Sequence, residues 1–434
     1  MPGADRRYVL VILDGLGDRP HPHTGDRSPV EAASTPALDR IVSRGCMGSV
    51  EVIGPGTAPE SDAGVFALLG YNPVEDSPGR GVLEAIGSGL EVGPGDVAFR
   101  INFATVSEDR RVIDSRVGRS LSTEESGALA EALSAADLLA DRGIRATIRA
   151  TVGHRGVLLF HPVDGKALSP RVSNADPFYE RIGGMGRARA AADPVIPPVA
   201  PEAPEAARTA DAVNIFLERA TRLLASHPVN RHRAAEGRKA ATGLLVRNAG
   251  GATIPGPEPF PRRWGIAGAA VTEMPVERGI ARVLGLDDLF VGPMGSDREA
   301  GYRERAERTL RALDSHAFVY VHLKGPDEPG HDGDARRKQA IVEAIDRSFV
   351  TPFWEGIDPD RTRIAITADH ATPAILRGHS DDPVPLLLAG AGVPALPPPG
   401  PPKFGEHAAG QGSLGLRRGQ EVMPLLLGRQ PIPP

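Results

Sequence analysis

The sequence predicts an α/β fold with a doubly wound, mostly parallel sheet and an inserted α+β domain. The first and last parts of the chain alternate short apolar runs with amphipathic helical patterns, as expected of βα units. The middle of the chain loses this alternation and contains a Pro-rich connector at residues 193–204. We therefore expect residues 1–78 and 286–434 to form the core, and residues 79–285 to form an inserted domain.

The 434-residue chain has the composition of an ordinary water-soluble protein, with 41% hydrophobic and 24% charged residues. Its formal net charge of -5 gives no support to a nucleic acid or an anionic membrane as a partner. Cys46 is the single cysteine, so an internal disulfide is excluded and a reducing compartment fits. No apolar run is long enough to span a membrane or to form a signal peptide. These features predict a cytoplasmic protein.

The first predicted strand is the apolar run Tyr8-Val-Leu-Val-Ile-Leu13, whose unbroken hydrophobicity indicates burial on both faces of a parallel sheet. Asp14 follows directly, at the carboxyl end of the strand, where ligands bind in open α/β sheets. An Asp before Gly15 is also a common turn former, so Asp14 alone leaves both interpretations open. Thr35 and Pro36 then begin a helix, as an N-cap and a first-turn proline.

A loop rich in Gly and Pro leads into a short predicted helix at Ser61. The N-terminus of a helix offers free N–H groups and the positive end of the helix dipole, so a hydroxyl there is well placed to meet a phosphate. Ser61 or Asp62 could equally serve only as the helix cap, because Ser and Asp are preferred caps.

The predicted insertion contains strands at residues 96–103 and 156–160 and helices at residues 124–139 and 206–225. It is also rich in side chains that could contact an anion. These are Arg100, Arg116, Arg119, His154, Arg155, Arg247 and Arg262. Since most Arg side chains are solvated at protein surfaces, we expect only some of them to contact a ligand.

The βα alternation returns in the last part of the chain, with a helix at residues 303–313 and a buried strand that begins near Val319. Asp327 and His331 follow this strand, in a segment broken by Pro and Gly that is typical of a loop. They are either metal ligands or part of a polar surface loop.

Two further polar segments follow in the last third of the chain. The strand Arg363-Ile-Ala-Ile-Thr367 is succeeded by Asp369 and His370, and His379 precedes another apolar run at residues 384–389. Asp or His therefore follows or precedes each of these strands, as in the first part of the chain.

Asp, Ser and His side chains thus recur in loops, most of them directly after a short apolar strand. Seven residues share this position: Asp14, Ser61, Asp327, His331, Asp369, His370 and His379. Together they fit two metal ions that clamp the attacking and leaving oxygens of a phosphoryl transfer and activate Ser61 as a nucleophile. Mixed Asp and His ligation favours Mn²⁺, Zn²⁺ or Co²⁺ over calcium.

Several longer motifs carry a resemblance to a known family. They are Leu13-Asp-Gly-Leu-Gly-Asp-Arg-Pro20, Thr35-Pro-Ala-Leu-Asp39, Ser61-Asp with Leu68-Leu-Gly-Tyr-Asn-Pro73, Gly79-Arg-Gly, Phe99-Arg-Ile-Asn-Phe-Ala-Thr105, Pro326-Asp-Glu-Pro-Gly-His-Asp-Gly-Asp334, Ala368-Asp-His-Ala-Thr-Pro373 and His379-Ser-Asp-Asp-Pro-Val-Pro385. With these motifs, spread over nearly the whole chain, the sequence resembles the archaeal type of cofactor-independent phosphoglycerate mutase, in the alkaline phosphatase superfamily.

The resemblance implies an alkaline-phosphatase-like core, an inserted substrate-binding domain, and interconversion of 3-phosphoglycerate and 2-phosphoglycerate without 2,3-bisphosphoglycerate. Ser61 would become a phosphoserine. One metal ion would be held by Asp14, Ser61, Asp369 and His370, and the other by Asp327, His331 and His379. The partner would be a small phosphorylated hydroxy acid, contacted by Arg116, Arg119, His154, Arg155 and Arg247. The sequence gives no indication of the oligomeric state.

Four departures from the usual pattern of the family all lie outside the expected metal ligands. Ser115 replaces an Arg, Phe178 replaces a His, and both Asn248 and Glu60 replace a Gly. They motivate an alternative in which the same Ser and metal chemistry acts on a phosphonate or phosphonoformyl relative of the substrate, or hydrolyses a phosphomonoester. A third hypothesis, from a different class, is a non-catalytic binding protein that keeps the fold; the complete set of seven site residues argues against it.

Overall fold

The computed structural model describes residues 6–182, 185–188, 193–252 and 256–432. The chain divides into two compact units. Unit 1 consists of residues 1–76, 258–274 and 281–434, and unit 2 consists of residues 77–257 and 275–280.

The strands of the described residues are, in chain order, β1 (Arg7–Leu13), β2 (Gly45–Glu51), β3 (Val97–Val106), β4 (Val112–Asp114), β5 (Ile144–Ala150), β6 (Arg155–Pro162), β7 (Tyr179–Ile182), β8 (Met185–Ala188), β9 (Gly243–Gly251), β10 (Gly268–Thr272), β11 (Asp287–Phe290), β12 (Phe318–Leu323), β13 (Thr362–Thr367), β14 (Val384–Gly390) and β15 (Gly415–Arg418).

The α-helices of the same residues are α1 (Pro29–Ala32), α2 (Pro36–Val42), α3 (Ser61–Leu68), α4 (Arg80–Gly87), α5 (Thr123–Ala135), α6 (Ala207–Ser226), α7 (Pro228–Ala235), α8 (Phe260–Trp264), α9 (Pro275–Leu284), α10 (Arg298–Ala312), α11 (Asp327–Asp332), α12 (Ala335–Ile345), α13 (Thr351–Gly356), α14 (Glu406–Gly410) and α15 (Val422–Leu426). Among the helices described, none has both the length and the apolar character that crossing a membrane requires.

Unit 1 is built on an eight-stranded sheet in the order β11-β10-β12-β1-β13-β14-β2-β15. Only β14 runs antiparallel to its neighbours in this sheet, and the other pairs are parallel. The residues of β1 from Val9 to Leu13 are fully buried, as their unbroken apolar run requires of a central parallel strand. The predicted α/β class with a mostly parallel sheet is confirmed.

The neighbouring strands β12, β1 and β13 position the candidate site residues of unit 1. Because these three strands are parallel, their carboxyl ends meet at one edge of the sheet. Asp14 follows β1 directly, Asp369 lies two residues beyond β13, and Asp327 lies four residues beyond β12. The order of strands therefore brings together three carboxylates that are far apart in the sequence.

The second boundary of the insertion differs from the expected one. The sequence placed residues 258–285 within the insertion, whereas residues 258–274 belong to unit 1. The physical reason is the short strand β10, which pairs in parallel with β12 and so extends the large sheet. With its five small, buried residues Gly-Ala-Ala-Val-Thr, β10 carries little of the bulky β-branched signal by which strands are identified.

Asp327 and His331 lie on the short helix α11, and the expectation of a loop was wrong. Pro329 occupies the first turn of this helix, where a missing N–H removes no helical hydrogen bond. The spacing of four residues places Asp327 and His331 on the same face of the helix. The helix therefore fixes the distance between the side chains of Asp327 and His331, which a loop would leave variable.

Unit 2 contains a five-stranded antiparallel sheet in which β3 pairs with both β6 and β9. The predicted strands and helices of the insertion are present here, with ends that shift by a few residues. The long helix α6 packs on the sheet through an edge-to-face contact between Phe216 and Phe160, whose ring centroids are 5.6 Å apart. The helix α5 begins with a capping box formed by Ser122 and Glu125.

A buried ionic cluster lies beneath the carboxyl edge of the large sheet in unit 1. The Lys338 ammonium is fully buried and lies 2.8 Å from an Asp18 carboxylate oxygen. It also donates hydrogen bonds to the carbonyl oxygens of Gly17 and Thr372. Glu406 accepts hydrogen bonds from the Asp18 N–H and the Ser28 hydroxyl. These contacts tie the segment after β1 to the segment after β13.

Glu406 is expected to make the stability of unit 1 depend on pH. Burial raises the pKa of Glu406 from its ordinary 4.5 to about 7, although the Ser28 hydroxyl opposes this shift. The stability that protonated Glu406 contributes is therefore present below pH 4.5 and is lost as the pH rises through about 7. The Glu406→Gln variant, which stays neutral, should gain more stability relative to the parent at pH 8 than at pH 5.

Chemical unfolding measures the free energy of unfolding of the parent and of the variant at both pH values. The difference between the two proteins at each pH isolates the contribution of Glu406. The exposed Glu355→Gln change is the matched control, and it should shift the free energy of unfolding equally at both pH values. A Glu406→Gln effect of the same size at pH 5 and pH 8 would contradict the expectation.

Candidate active site

The first cluster of site residues in unit 1 surrounds the carboxylate of Asp14. Ser61 Oγ lies 3.5 Å from Asp14 Oδ1 and 3.3 Å from His370 Nε2. His370 Nε2 is in turn 3.6 Å from Asp14 Oδ1 and 3.6 Å from Asp369 Oδ2. Ser61 is the first residue of α3 and does not cap it, since Glu60 occupies the cap position. The hydroxyl is thus directed at the cluster. The structure brings these four residues together.

The second cluster consists of Asp327, His331 and His379. Asp327 Oδ1 lies 3.4 Å from Nε2 of each histidine, and the two Nε2 atoms lie 3.2 Å apart. The spacing of about 3.4 Å is what three ligands of a tetrahedral zinc ion show when each bond is about 2.0–2.1 Å long. All seven residues expected at the site are therefore brought together within unit 1.

Hydrogen bonds to the far side of each ring fix how the histidines face the clusters. His379 Nδ1 donates to the Pro59 carbonyl at 2.8 Å, and His331 Nδ1 approaches the Arg377 carbonyl at 3.4 Å. A carbonyl oxygen can only accept, so each Nδ1 carries a proton and each Nε2 atom is turned towards Asp327. This arrangement is common around metal-bound histidines.

Thr372 connects the two clusters through its hydroxyl. The Thr372 hydroxyl donates to Asp327 Oδ1 at 2.7 Å and accepts from His370 Nδ1 at 3.0 Å. His370 is thereby held with Nε2 towards Ser61. Gly15 is required beside this bridge, because its φ is +60° and a Cβ atom there would lie 2.7 Å from the Thr372 hydroxyl oxygen.

The charges of the site favour ionised carboxylates. Burial would raise the pKa of Asp14, but the Lys324 ammonium and the nearby imidazoles hold it well below its usual range. Burial likewise opposes ionisation of Asp327, and His379 outweighs it and lowers the pKa. Burial lowers the pKa of His379, but Asp327 more than reverses this and raises it to about 9. Binding of a cation by this pair would therefore release a proton.

The donor set of the two clusters fits divalent metal ions. Asp369 Oδ2 is buried and accepts no hydrogen bond within the described residues, which is unusual for a carboxylate oxygen. A cation would satisfy this oxygen. Imidazole nitrogens and carboxylate oxygens suit Zn²⁺, Mn²⁺ and Co²⁺, whereas Ca²⁺ prefers oxygen ligands alone.

Unit 2 carries a separate cluster of cationic side chains around β3 and β6. Arg100 Nε is buried, makes no hydrogen bond among the described residues, and lies 3.5 Å from Glu84 Oε1. Burial lowers the pKa of Arg100 to about 9, against the effect of Glu84 and together with the charges of Arg80 and Arg155. Glu84 also accepts from Arg80 at 3.0 Å. One carboxylate thus faces three guanidinium groups, and the excess positive charge favours an anionic ligand.

The expected substrate contacts are not equivalent in this cluster. Burial, together with the neighbouring charges of Arg155, Arg116, Arg100 and Arg247, lowers the pKa of His154 to about 3. Arg155 is partly buried, and its side chain makes no hydrogen bond or close ion pair with any described residue. No carboxylate of the described residues lies within ion-pair distance of Arg155, although the charge of Glu84 opposes the lowering of its pKa.

Arg247 differs from the other expected contacts because it has a close counter-charge. Arg247 is buried, forms an ion pair with Asp176, and stacks on the Tyr179 ring with its guanidinium carbon 3.9 Å from the centroid. Its charge is thereby compensated within the protein. Arg119 is exposed, and its side chain has no hydrogen bond or ion pair in the part of the chain that is described.

Two of the departures from the family pattern have structural explanations. Asn248 has a φ of 55°, a left-handed conformation that Gly adopts freely and that Asn tolerates better than most residues. Phe178 is partly buried and packs against the hydrophobic core of unit 2. Glu60 helps to raise the pKa of His379, and nothing in the structure explains Ser115. At least the Asn248 exchange therefore conserves the backbone.

Sequence reasoning missed four residues at or near these clusters: His322, Lys324, Thr372 and Arg80. The polar His322 interrupts the otherwise apolar strand β12 and Lys324 follows its end, and these two polar residues were the available signal. Thr372 and Arg80 lie within two of the family motifs, but their spacing from the other site residues does not predict which side chains they contact.

Comparison with known proteins shows close relatives along the whole chain. A family model described as 2,3-bisphosphoglycerate-independent phosphoglycerate mutase matches residues 42–230. A protein of that name from Aeropyrum pernix is 43% identical over 430 residues, which cover 97% of this chain and 99% of the relative. Another from Methanopyrus kandleri is 38% identical and covers 98% of this chain and 96% of the relative.

Two solved structures resemble this one over nearly their full length. A protein from Pyrococcus horikoshii has a TM-score of 0.78 at 30% identity, and the match covers 98% of both chains. A structure titled as the cofactor-independent phosphoglycerate mutase of Thermoplasma acidophilum has a TM-score of 0.63 at 32% identity, and covers 98% of this chain and 99% of that one.

Proposed function

Since the chain belongs to the family of 2,3-bisphosphoglycerate-independent phosphoglycerate mutases, we propose that it interconverts 3-phosphoglycerate and 2-phosphoglycerate through a phosphoserine on Ser61. The observation that carries the proposal is the position of Ser61 Oγ, at the N-terminus of α3 and within 3.5 Å of both Asp14 and His370. The names of the relatives state that no 2,3-bisphosphoglycerate takes part.

Ser61 performs both halves of the reaction. Its Oγ loses its proton and attacks the phosphorus of the bound phosphoglycerate in line, the bond from phosphorus to the glycerate oxygen breaks, and that oxygen takes up one proton in exchange. The glycerate then turns, and its other hydroxyl attacks the phosphoserine and regenerates Ser61. The first N–H groups of α3 and the Lys324 ammonium beside Asp14 favour the negative charge of the phosphoryl group.

Asp14, Asp369 and His370 together with Ser61 would hold one divalent cation, and Asp327, His331 and His379 would hold the other. Such cations, Mn²⁺, Zn²⁺ or Co²⁺, would lower the pKa of the Ser61 hydroxyl and neutralise charge on the transferred group. Thr372 orients His370 and Asp327 through its two hydrogen bonds.

The cationic cluster of unit 2 would bind the acid groups of the substrate. Arg155 leads this assignment because it is partly buried and lacks a close counter-charge among the described residues. Arg100, His154 and Arg116 would assist it. Arg247 would serve mainly to shape the cluster, since Asp176 already compensates its charge.

The direct test is conversion of 3-phosphoglycerate by the purified protein, coupled to enolase and followed by the absorbance of phosphoenolpyruvate. We expect turnover that requires added divalent metal and does not require 2,3-bisphosphoglycerate. Chelator-treated protein is the control and should be inactive. Absence of turnover in the metal-loaded protein would refute the proposal.

The alternative substrates are not favoured. No comparison supports a phosphonate or phosphonoformyl substrate, and one of the four departures that suggested it, Asn248, conserves the backbone conformation. A panel of phosphonate and phosphate esters in the same preparation would revive this alternative if any ester were turned over faster than 3-phosphoglycerate.

Replacing Arg155 by Met is expected to raise KM for 3-phosphoglycerate by about 10- to 100-fold with little change in kcat. A hydrogen bond to a charged group contributes about 1.5–3 kcal/mol, and the loss would weaken binding of substrate and transition state alike. Steady-state kinetics of the variant provide the measurement. Arg145→Met, which removes an exposed Arg of the same sheet, is the control and should leave KM unchanged. An unaltered KM for Arg155→Met would exclude Arg155 as a substrate contact.

A further inference from the structure

The strand β12 carries a buried imidazole that the proposed metal ligands do not include. His322 is 1% exposed, and its Nε2 atom lies 3.3 Å from Asp369 Oδ2 and 3.6 Å from Asp14 Oδ1. These three atoms lie close enough together to share one cation. His322 is therefore a third donor around the two carboxylates that flank Ser61.

The distances match the edges of a coordination shell. Bonds of about 2.0–2.1 Å to a tetrahedral ion separate neighbouring ligand atoms by about 3.4 Å. His370 Nε2 lies 3.6 Å from the same oxygens of Asp14 and Asp369, so the two imidazoles approach the same pair of carboxylates. Asp369 Oδ2 has no hydrogen bond within the described residues, although His322 Nε2 is 3.3 Å away. The imidazole nitrogen is therefore in direct contact with this carboxylate oxygen.

The second ring nitrogen of His322, Nδ1, also has a hydrogen-bond partner of the kind that metal-binding histidines have. The Tyr320 hydroxyl lies 3.2 Å from His322 Nδ1, and both side chains are on the same face of β12 because they are two residues apart. The tyrosine oxygen can accept a hydrogen bond from Nδ1–H, and in that tautomer the Nε2 lone pair is directed at the carboxylates. Buried histidines that bind metal are oriented in this way by their second nitrogen.

We propose that His322 Nε2 is a ligand of the cation held by Asp14 and Asp369, so that this centre contains two imidazoles, from His322 and His370. The inference rests on the proposed function, because it presumes a cation beside Ser61. Lys324 offers the competing explanation: its ammonium lies 3.3 Å from Asp14 Oδ2 and 3.5 Å from His322 Nε2. In that case the ammonium would complement the carboxylates, and His322 would only support it.

The test measures Co²⁺ binding to the full-length protein after chelation, by calorimetry and by the visible absorption of bound cobalt. The parent should bind two equivalents. His322→Gln should retain one equivalent with parental affinity, bind the other at least about tenfold more weakly, and show a changed absorption for it. His316→Gln is the matched control, because His316 also contacts one carboxylate of unit 1, that of Asp287. The His316→Gln protein should bind both equivalents of cobalt as the parent does.

The possible results separate the two proposals. A parent protein that binds no cobalt would refute the metal centre itself and with it the proposed function. A parent with two equivalents and a His322→Gln variant with unchanged affinities and spectrum would overturn only the role of His322.

A second measurement needs no variant and covers the case in which His322→Gln does not fold. In protein labelled with ¹⁵N-histidine and loaded with ¹¹³Cd²⁺, we expect cadmium–nitrogen coupling at four Nε2 atoms, those of His322, His331, His370 and His379. Coupling at the other three without His322 would overturn the inference.

Discussion

Replacement of Ser61 by Ala is expected to lower mutase turnover by at least about 10³-fold. The variant lacks the oxygen that forms the phosphoserine, and loss of a covalent nucleophile removes most of the catalysis that depends on it. The enolase-coupled assay measures the rate, and mass spectrometry of the protein after incubation with 3-phosphoglycerate measures phosphorylation. We expect the parent to carry one labile phosphate on Ser61 and the variant to carry none.

The variant should keep its fold, because Ser61 makes no capping hydrogen bond in α3 and its hydroxyl has hydrogen bonds only to Asp14 and His370 among the described residues. Ser43→Ala removes an exposed hydroxyl of unit 1 and serves as the control, with activity expected at the parental level. A Ser61→Ala protein with substantial turnover would exclude the phosphoserine route, even if the family assignment stands.

Replacement of Lys338 by Met is expected to lower the free energy of unfolding by about 3–5 kcal/mol. The change removes the ammonium that pairs with Asp18 in the interior and leaves a buried carboxylate without its counter-charge. Two carbonyl oxygens, of Gly17 and Thr372, lose a donor at the same time. Urea unfolding at neutral pH, followed by circular dichroism, measures the loss.

A double variant distinguishes loss of the pair from loss of packing. Asp18→Asn combined with Lys338→Met removes both charges and should be more stable than Lys338→Met alone. Lys403→Met breaks the more exposed pair with Asp39 and should lower stability by only about 1 kcal/mol or less. A Lys338→Met effect no larger than that of Lys403→Met would show that the buried pair is not a major source of stability.

The sequence predicted the strand edge that forms the site because the relevant signal is local. Unbroken apolar runs marked β1, β12 and β13, and the polar residues that follow a parallel strand must lie at its carboxyl end. The pairing of these three strands as neighbours did not follow from any local pattern. It depends on contacts such as Tyr8 with Phe318 and Arg363, which only the folded chain creates.

The site residues that were not predicted from the sequence owe their contacts to the direction of their side chains in the folded chain, which the local sequence does not reveal. His322 stood in the sequence as one polar residue in an apolar strand, and its approach to Asp14 and Asp369 depends on the register of β12, β1 and β13. Thr372 joins His370 to Asp327, two residues that are close only after folding. In contrast, the spacing of four residues between Asp327 and His331 did contain the information that both lie on one face of a helix.

The order of the strands in unit 1 has a consequence for how the protein is made. The central strand β1 is synthesised long before both of its neighbours, β12 and β13, which come from the last third of the chain. Unit 2 consists largely of one continuous stretch, residues 77–257, and can acquire its sheet earlier. A nascent chain therefore carries the exposed apolar edge of β1 throughout most of its synthesis. Such a segment pairs slowly and is prone to aggregate, so it is where a chaperone would bind first.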